Sequence, residues 1–350
     1  MQIQVDFRSD TVTKPSPAMR EAMARAHVDD DVLDGDPTVE LLEERTARML
    51  GQEAGLFMPS GSMANLCALM IHLGRGDRFY APKGAHVLTH ELGTGAWLAG
   101  GMPAELPCSF GPGVPSPDDI RAVAAVEPRG QMYYDLRTKL VCLENTHNQA
   151  GGVILGRTVM NDLVAAAHDV GWPVHLDGAR IWHAAAAQDI LPREAAGPVD
   201  SITVCFSKGL GAPVGSMLLG PKDFITKARR ARKALGGGMR QSGVLAAAAL
   251  VALEQELPRI DEDRIRATTL SEAIRAVGLD CPPPATNILT VRPGPGSDAT
   301  AGDIWAAWRE AGLGCLLMGD AVRLVVHRDI DVVAITTAIL LITTTAKKIG

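Results

Sequence analysis

The sequence predicts an α/β protein: a large, mostly parallel sheet covered by helices, followed by a smaller C-terminal α/β unit. Two observations carry that reading. Apolar, β-branched runs such as residues 174–177 and 202–206 alternate with helical patterns, and near-continuously apolar strands belong to parallel sheets covered on both faces. The length of 350 residues is too great for one small core and suits one large domain plus a smaller one.

In chain order, residues 5–10 form a short extended segment. Ser16 and Pro17 supply an N-cap and a first-turn proline for a helix running to residue 26. The acidic, turn-rich stretch 29–37 is a solvated loop whose spacing does not match the twelve-residue calcium loop, so no metal is assigned. Thr38 is expected to cap a helix over 39–50, closed by Gly51. A short strand at 55–58 leads into the Ser60-Gly-Ser62 turn and an apolar-faced helix over about 64–73. Further strands are expected at 78–81, 139–144, 174–177 and 202–206. Helices fall between them at 91–99, from the opening Pro115-Ser-Pro-Asp118 to residue 126, and at 159–170. Gly209, Gly211, Pro213 and Gly215 then hold the chain in tight turns. A basic helix follows at 222–233, and 246–257 and 258–277 are helical. Cys281-Pro-Pro-Pro284 breaks the chain. The remainder alternates strand and helix at 287–291, 304–311, 315–318 and 322–327, before a buried C-terminal helix over 332–346. The expected organisation is an N-terminal arm (1–16), a large domain (17–243) and a small domain (244–350).

Composition excludes several classes. Forty acids against 34 bases give a net charge of −6 with no strong block of either sign, which argues against nucleic acid as a partner. Aromatic residues at 4% provide no platform for stacking bases. The six cysteines are scattered, with no C-x-x-C pair, as in a reduced, cytoplasmic protein. The amino terminus has no signal-peptide pattern. Residues 332–346 are short for a membrane span and contain five threonines, so no membrane association is expected.

Three stretches carry chemistry. Lys208 stands at the C-terminal end of the 202–206 strand, the edge at which open α/β sheets bind ligands. Desolvated there, an amine deprotonates readily and forms a Schiff base with an aldehyde. Asp177 ends the preceding strand, and two consecutive βα units therefore deliver both residues to one edge. Around Gly61, hydroxyls flank a glycine at a helix start, where free backbone N–H groups and the positive end of the helix dipole make a phosphate cup. Each alone has a bland explanation: a surface lysine, a helix-capping acid, a capping turn. Together they suit pyridoxal phosphate, whose ring nitrogen stays protonated beside an acid so that the ring serves as an electron sink. The glycine fingerprint of a nucleotide-binding dehydrogenase is missing.

With cup, aspartate and lysine in this order, the sequence resembles the low-specificity L-threonine aldolases, pyridoxal-phosphate enzymes of fold type I (the aspartate-aminotransferase fold). The resemblance rests on Arg8-Ser-Asp-Thr-Val-Thr-Lys-Pro15, Asp36-Pro-Thr38, Pro59-Ser-Gly-Ser62, Ala85-His86, Leu143-Glu-Asn-Thr-His147 and His175-Leu-Asp-Gly-Ala-Arg180. It continues through Ser207-Lys-Gly-Leu-Gly-Ala-Pro-Val-Gly-Ser216, Gly236-Gly-Gly-Met-Arg-Gln-Ser-Gly243 and Val322-Arg-Leu-Val325, so it spans almost the whole chain. It implies that Lys208 is the Schiff-base lysine, that Asp177 partners the pyridine nitrogen and that His86 stacks on the ring. Gly61, Ser62 and Ser207 would bind phosphate, joined by Arg240 from a neighbouring subunit of a homodimer or homotetramer. Ser9, Arg180 and Arg323 would hold the substrate carboxylate, a task suited to a fixed guanidinium fork. Lys233 matches a family lysine near the site. The implied reaction is retro-aldol cleavage of a β-hydroxy amino acid to glycine and an aldehyde, with His86 as the expected base. Two departures touch recognition of the β-substituent: Leu33 stands where relatives usually have tyrosine, and Tyr134 (or Tyr133) where they commonly have histidine. A bulkier substrate than threonine is compatible with both. The alternatives are a β-eliminating lyase or aminotransferase on the same fold, and a non-enzymatic α/β binding protein.

Overall fold

The computed structural model describes residues 2–127 and 133–349, with side chains to residue 346. Its strands are β1 (Val5–Asp6), β2 (Ala54–Met58), β3 (Asp77–Pro82), β4 (Met102–Leu106), β5 (Arg137–Glu144), β6 (Val174–Gly178), β7 (Ser201–Cys205), β8 (Ser216–Gly220), β9 (Ile288–Val291), β10 (Leu313–Gly314), β11 (Leu316–Met318) and β12 (Ala321–Val325). Seven of them form the central sheet in the order β2-β8-β7-β6-β5-β3-β4. Every neighbouring pair from β7 to β4 is parallel, and only β8 runs against its neighbours β7 and β2. All residues of β6, β7 and β8 are buried, as expected for strands covered on both faces. β4 lies at the sheet edge and carries Pro103, a position where a missing N–H costs no ladder bond.

The large core packs Leu176, Ile202, Val204 and Phe206 of the sheet region against helices that include Pro17–Arg25, Pro37–Leu50 and Arg157–Asp169. A second core gathers Trp308, Leu289, Leu324 and Ile335 around the small antiparallel sheet β11-β12-β9. The N-terminal segment belongs to this second core through Val5 and Phe7. β1 pairs in parallel with β10, and the Phe7 carbonyl accepts the Val325 amide at 2.9 Å. Among the described residues no helix is long and apolar enough to cross a membrane.

Several elements differ from the sequence expectation, each for an identifiable reason. Asp36, not Thr38, caps the second helix: its carboxylate accepts the Thr38 and Val39 amides, and Pro37 occupies the first turn. The helix expected over 91–99 shrinks to Thr94–Trp97, and a separate short helix, His86–Thr89, precedes it, because Leu92 and Gly93 adopt left-handed φ angles of 55° and 68°. β4 and β8 were not anticipated; one carries a proline and the other follows a glycine-rich turn, which hides a strand pattern. The C-terminal helix, Val332–Ile349, is amphipathic, with Val332, Val333 and Leu340 facing solvent. The helix Gly243–Val251, expected to open the small domain, contributes Ala246, Ala248 and Ala249 to the large core. Core membership changes only between Ile260 and Ala267.

Burial sets one test of this packing. Glu43, on the helix Pro37–Leu50, accepts the Phe57 amide at 2.8 Å, and desolvation pushes its carboxyl up from 4.5 to about 7. The folded protein thus holds a proton that the unfolded chain releases. The stabilisation is fully present below about pH 4.5 and is lost as pH rises through about 7. Glu43→Gln keeps the acceptor without the charge. We expect it to stabilise the protein above pH 7 by up to about 3 kcal/mol, with no gain near pH 4.5, in urea unfolding followed at both pH values.

Candidate active site

The parallel strands end side by side, and their C-terminal residues assemble the site. Glu144 of β5 and Asp177 of β6 are register partners, and β7 runs directly into Ser207 and Lys208. Asp177 is buried. Its Oδ2 accepts Nδ2 of Asn65 at 2.8 Å and its Oδ1 accepts the Ala179 amide at 3.1 Å. Desolvation opposes its charge, but the Lys208 ammonium, His86 and these donors outweigh it and hold the carboxyl below the usual range.

The cup lies at the start of the helix Gly61–His72. Ser60 is the N-cap and accepts the Met63 amide at 3.2 Å, while the Ala64 amide reaches the Ser60 carbonyl at 3.1 Å. Among the described hydrogen bonds, the amides of Gly61 and Ser62 have no partner, as the first turn of a helix leaves them. A Cβ on Gly61 would stand 2.9 Å from Cys205 Sγ, so only glycine lets this helix start close onto the end of β7.

Beside these groups opens a cavity of about 380 Å³ lined by Ser9, His86, His90, Arg180, Lys208 and Arg323, with Leu316–Met318 along one wall. Arg180 is buried, and Nε and Nη2 both donate to Asp10 at 2.7 Å. Its fork is therefore committed to Asp10, and only Nη1 turns toward the cavity, 3.3 Å from Asn148 Oδ1. Arg323 donates through Nη1 to the same Asn148 oxygen at 2.9 Å and through Nη2 to the Arg8 carbonyl at 3.3 Å. Its buried Nε has no partner among the described residues. Burial and the neighbouring Arg180 push the Arg323 pKa down. Arg323 thus has more spare donor capacity for an anion than Arg180. Ser9 accepts the Thr11 amide at 3.2 Å and the Thr11 hydroxyl at 2.8 Å, and still faces the cavity.

His86 donates from Nδ1 to Glu91 at 2.9 Å, and this bond raises its pKa despite burial. Burial raises Glu91 as well, so both partners are biased toward holding a proton. Nδ2 of Asn65 also donates to Glu91, at 2.9 Å, which ties His86 to Asp177 through one amide.

The structure brings Lys208, Asp177, His86, Gly61, Ser62, Ser207, Ser9, Arg180 and Arg323 to this strand edge. Others lie elsewhere on the single chain. Arg240 is exposed and pairs with Asp30 at 2.7 Å. Leu33 is 73% exposed in the adjoining loop. Lys233 lines a separate basic groove with Arg229 and Arg232. Tyr134 is 67% exposed, set edge-on to Tyr133. Sequence reasoning missed five residues. Asp10 holds Arg180, Asn148 bridges both arginines, Asn65 and Glu91 link His86 to Asp177, and Glu144 accepts the backbone amides of His86 and Asn148 at 2.7 and 2.8 Å. Asp10, Glu144 and Asn148 sit inside or beside the motifs quoted above. The available signal for Asn65 was a polar residue within an apolar helix.

A family model for beta-eliminating lyases matches residues 6–293. The chain is 41% identical over 332 residues to low-specificity L-threonine aldolase 1 of Arabidopsis thaliana, with 93% of this chain and 92% of that protein covered. The solved threonine aldolase of Leishmania major shares the fold at a TM-score of 0.80 and 19% identity, over 99% of this chain and 100% of that one. A structure of SPT with PLP shares it at a TM-score of 0.74 and 17% identity, over 100% and 88%. The family match covers most of the chain and the curated similarity nearly all of it. The chain therefore belongs to the beta-eliminating lyase family and, within it, to the low-specificity L-threonine aldolases.

Proposed function

We propose that the protein is a pyridoxal-phosphate-dependent aldehyde-lyase that cleaves a β-hydroxy-L-amino acid between Cα and Cβ, releasing glycine and an aldehyde. The observation that carries this reading is the convergence of Lys208 and the spare donors of Arg323 on one cavity, with the charged Asp177 at the end of the strand beside the one that leads into Lys208.

The residues fit the cofactor. The open amides of Gly61 and Ser62 suit a phosphate at a helix start, and the Ser207 hydroxyl, which follows β7, would join them. Asp177, buried yet ionised, suits a protonated ring nitrogen. Lys208 would hold the aldehyde, and His86, fixed by Glu91, would lie against the ring face. Bound there, pyridoxal phosphate supplies the electron sink for the bonding pair released at Cα.

The chain's own residues do the rest. Arg323 binds the substrate carboxylate through donors the fold leaves spare, Nη1 of Arg180 and the Ser9 hydroxyl add to it, and the carboxylate is fixed while Cβ points toward the cavity mouth. Asp10 acts through Arg180, holding its guanidinium in place. Arg240, Leu33, Lys233 and Tyr134 lie away from the cavity, which fits a homodimer or homotetramer in which a neighbouring copy completes the phosphate and β-substituent subsites. Six free cysteines, five of them buried, suit a reducing, cytoplasmic setting.

Product analysis tests the reading. L-threonine, L-allo-threonine and phenylserine should yield glycine and the matching aldehyde; a 2-oxo acid with ammonia would identify an eliminating lyase instead. Lys208→Ala should abolish both the yellow absorbance of bound cofactor and turnover. Asp10→Ala strands the buried Arg180 charge, and should cost roughly 3–5 kcal/mol in urea unfolding and raise KM for the amino acid.

A further inference from the structure

We propose that His90, rather than His86, takes the proton of the substrate's β-hydroxyl, with Thr89 and Gln149 holding its ring; this rests on the retro-aldol reading above. His90 ends the short helix His86–Thr89, one turn beyond His86, and both rings line the cavity that contains Lys208 and Arg323. The two imidazoles stack with centroids 5.4 Å apart and planes inclined by 20°.

Their hydrogen bonds give them different roles. Nδ1 of His86 is committed to Glu91, which favours its protonated ring. A ring biased toward its protonated form is the poorer acceptor. Around His90 the directions close consistently on the neutral ring. The Thr89 hydroxyl donates to the Ala85 carbonyl at 3.1 Å, so Nδ1–H of His90 donates to Thr89 Oγ1 at 2.6 Å. The remaining lone pair lies on Nε2, which accepts the Gln149 amide at 2.9 Å. Gln149 is exposed, so a substrate hydroxyl can displace it with little loss.

The charged or titratable side chains sharing the cavity are His86, Lys208, Arg180 and Arg323. None is an acid. The adjacent Glu91 is turned to His86, and His147, on the loop that carries Gln149, accepts the Ala150 amide through Nδ1. Burial, His86 and Arg323 all lower the His90 pKa, leaving the ring neutral and able to accept. In the step itself the β-hydroxyl proton passes to Nε2 and the O–H pair becomes the second C–O bond. The Cα–Cβ pair stays on Cα, where a proton later replaces the lost carbon. The proton on Nε2 returns to water through the open mouth.

His90→Phe keeps the stacked ring and removes the nitrogen. In the holoenzyme we expect kcat/KM for β-hydroxy amino acid cleavage to fall by about 10²–10⁴-fold. Cofactor absorbance and the exchange of glycine's α-hydrogen in D2O, which needs no β-hydroxyl, should persist. The wild-type kcat/KM should rise with pH through a group below the ordinary histidine value of about 6.5, and that limb should vanish in the variant. Equal cleavage by variant and wild type would overturn the proposal, and so would a parallel loss of cleavage and glycine exchange, which marks a structural role. A wild-type protein that exchanges glycine but cleaves no β-hydroxy amino acid would instead reject the retro-aldol reading on which the proposal stands.

Discussion

A carboxylate that must stay ionised inside the protein organises this site. Asp177 has almost no contact with water, so its charge survives only because Lys208, His86 and the Asn65 amide surround it. Asn65 can donate there because its other groups are also fixed. One N–H goes to Glu91, and its carbonyl accepts Nε2 of His175 at 3.2 Å. Nδ1 of His175 then accepts the Ser201 hydroxyl, and Ser201 in turn accepts Nε2 of His72, both at 2.9 Å. Burial pushes His175 down to about 3 and His72 to about 4, so both rings are neutral and the line of donors has one direction. The amide that serves Asp177 is thereby locked from behind the sheet.

A second constraint concerns the arginines. Two guanidinium groups face one cavity, and their mutual repulsion is eased unequally. Asp10 takes the fork of Arg180 in a buried, bidentate pair, whereas Arg323 shares only neutral oxygens with Asn148 and Arg8. The unequal pairing divides the work: one arginine shapes the site, the other keeps donors for an anion. The N-terminal segment makes this possible. By pairing β1 with β10 it joins the second core, and in leaving that core it carries Ser9 and Asp10 to the edge of the large sheet.

The same logic separates the two histidines. His86 and His90 are one helical turn apart and stacked, yet a buried acid raises the pKa of one, while burial and neighbouring cations lower that of the other, which meets only a neutral amide. Sequence motifs do not report such a difference, because it depends on Glu91, just before the left-handed turn at Leu92 and Gly93, reaching His86 Nδ1.

Much of the architecture was legible because parallel strands announce themselves by continuous apolar runs, and because strand ends and helix starts are where ligands bind. That sufficed to set Asp177, Lys208 and Gly61 together. Thr38 and the 91–99 helix were misjudged where local propensity was overruled, by a proline-opened first turn in one case and a left-handed turn in the other. The sequence by itself determined which chemical groups meet at the sheet edge, since period and turn residues dictate where each strand stops. Only the tertiary structure decided how each group is paired: which arginine keeps a spare donor, which histidine is biased toward its protonated form, and why Asp177 stays charged. Those depend on contacts between residues far apart in the chain, such as Asp10 with Arg180 and Asn65 with Asp177, and burial makes each such contact decisive.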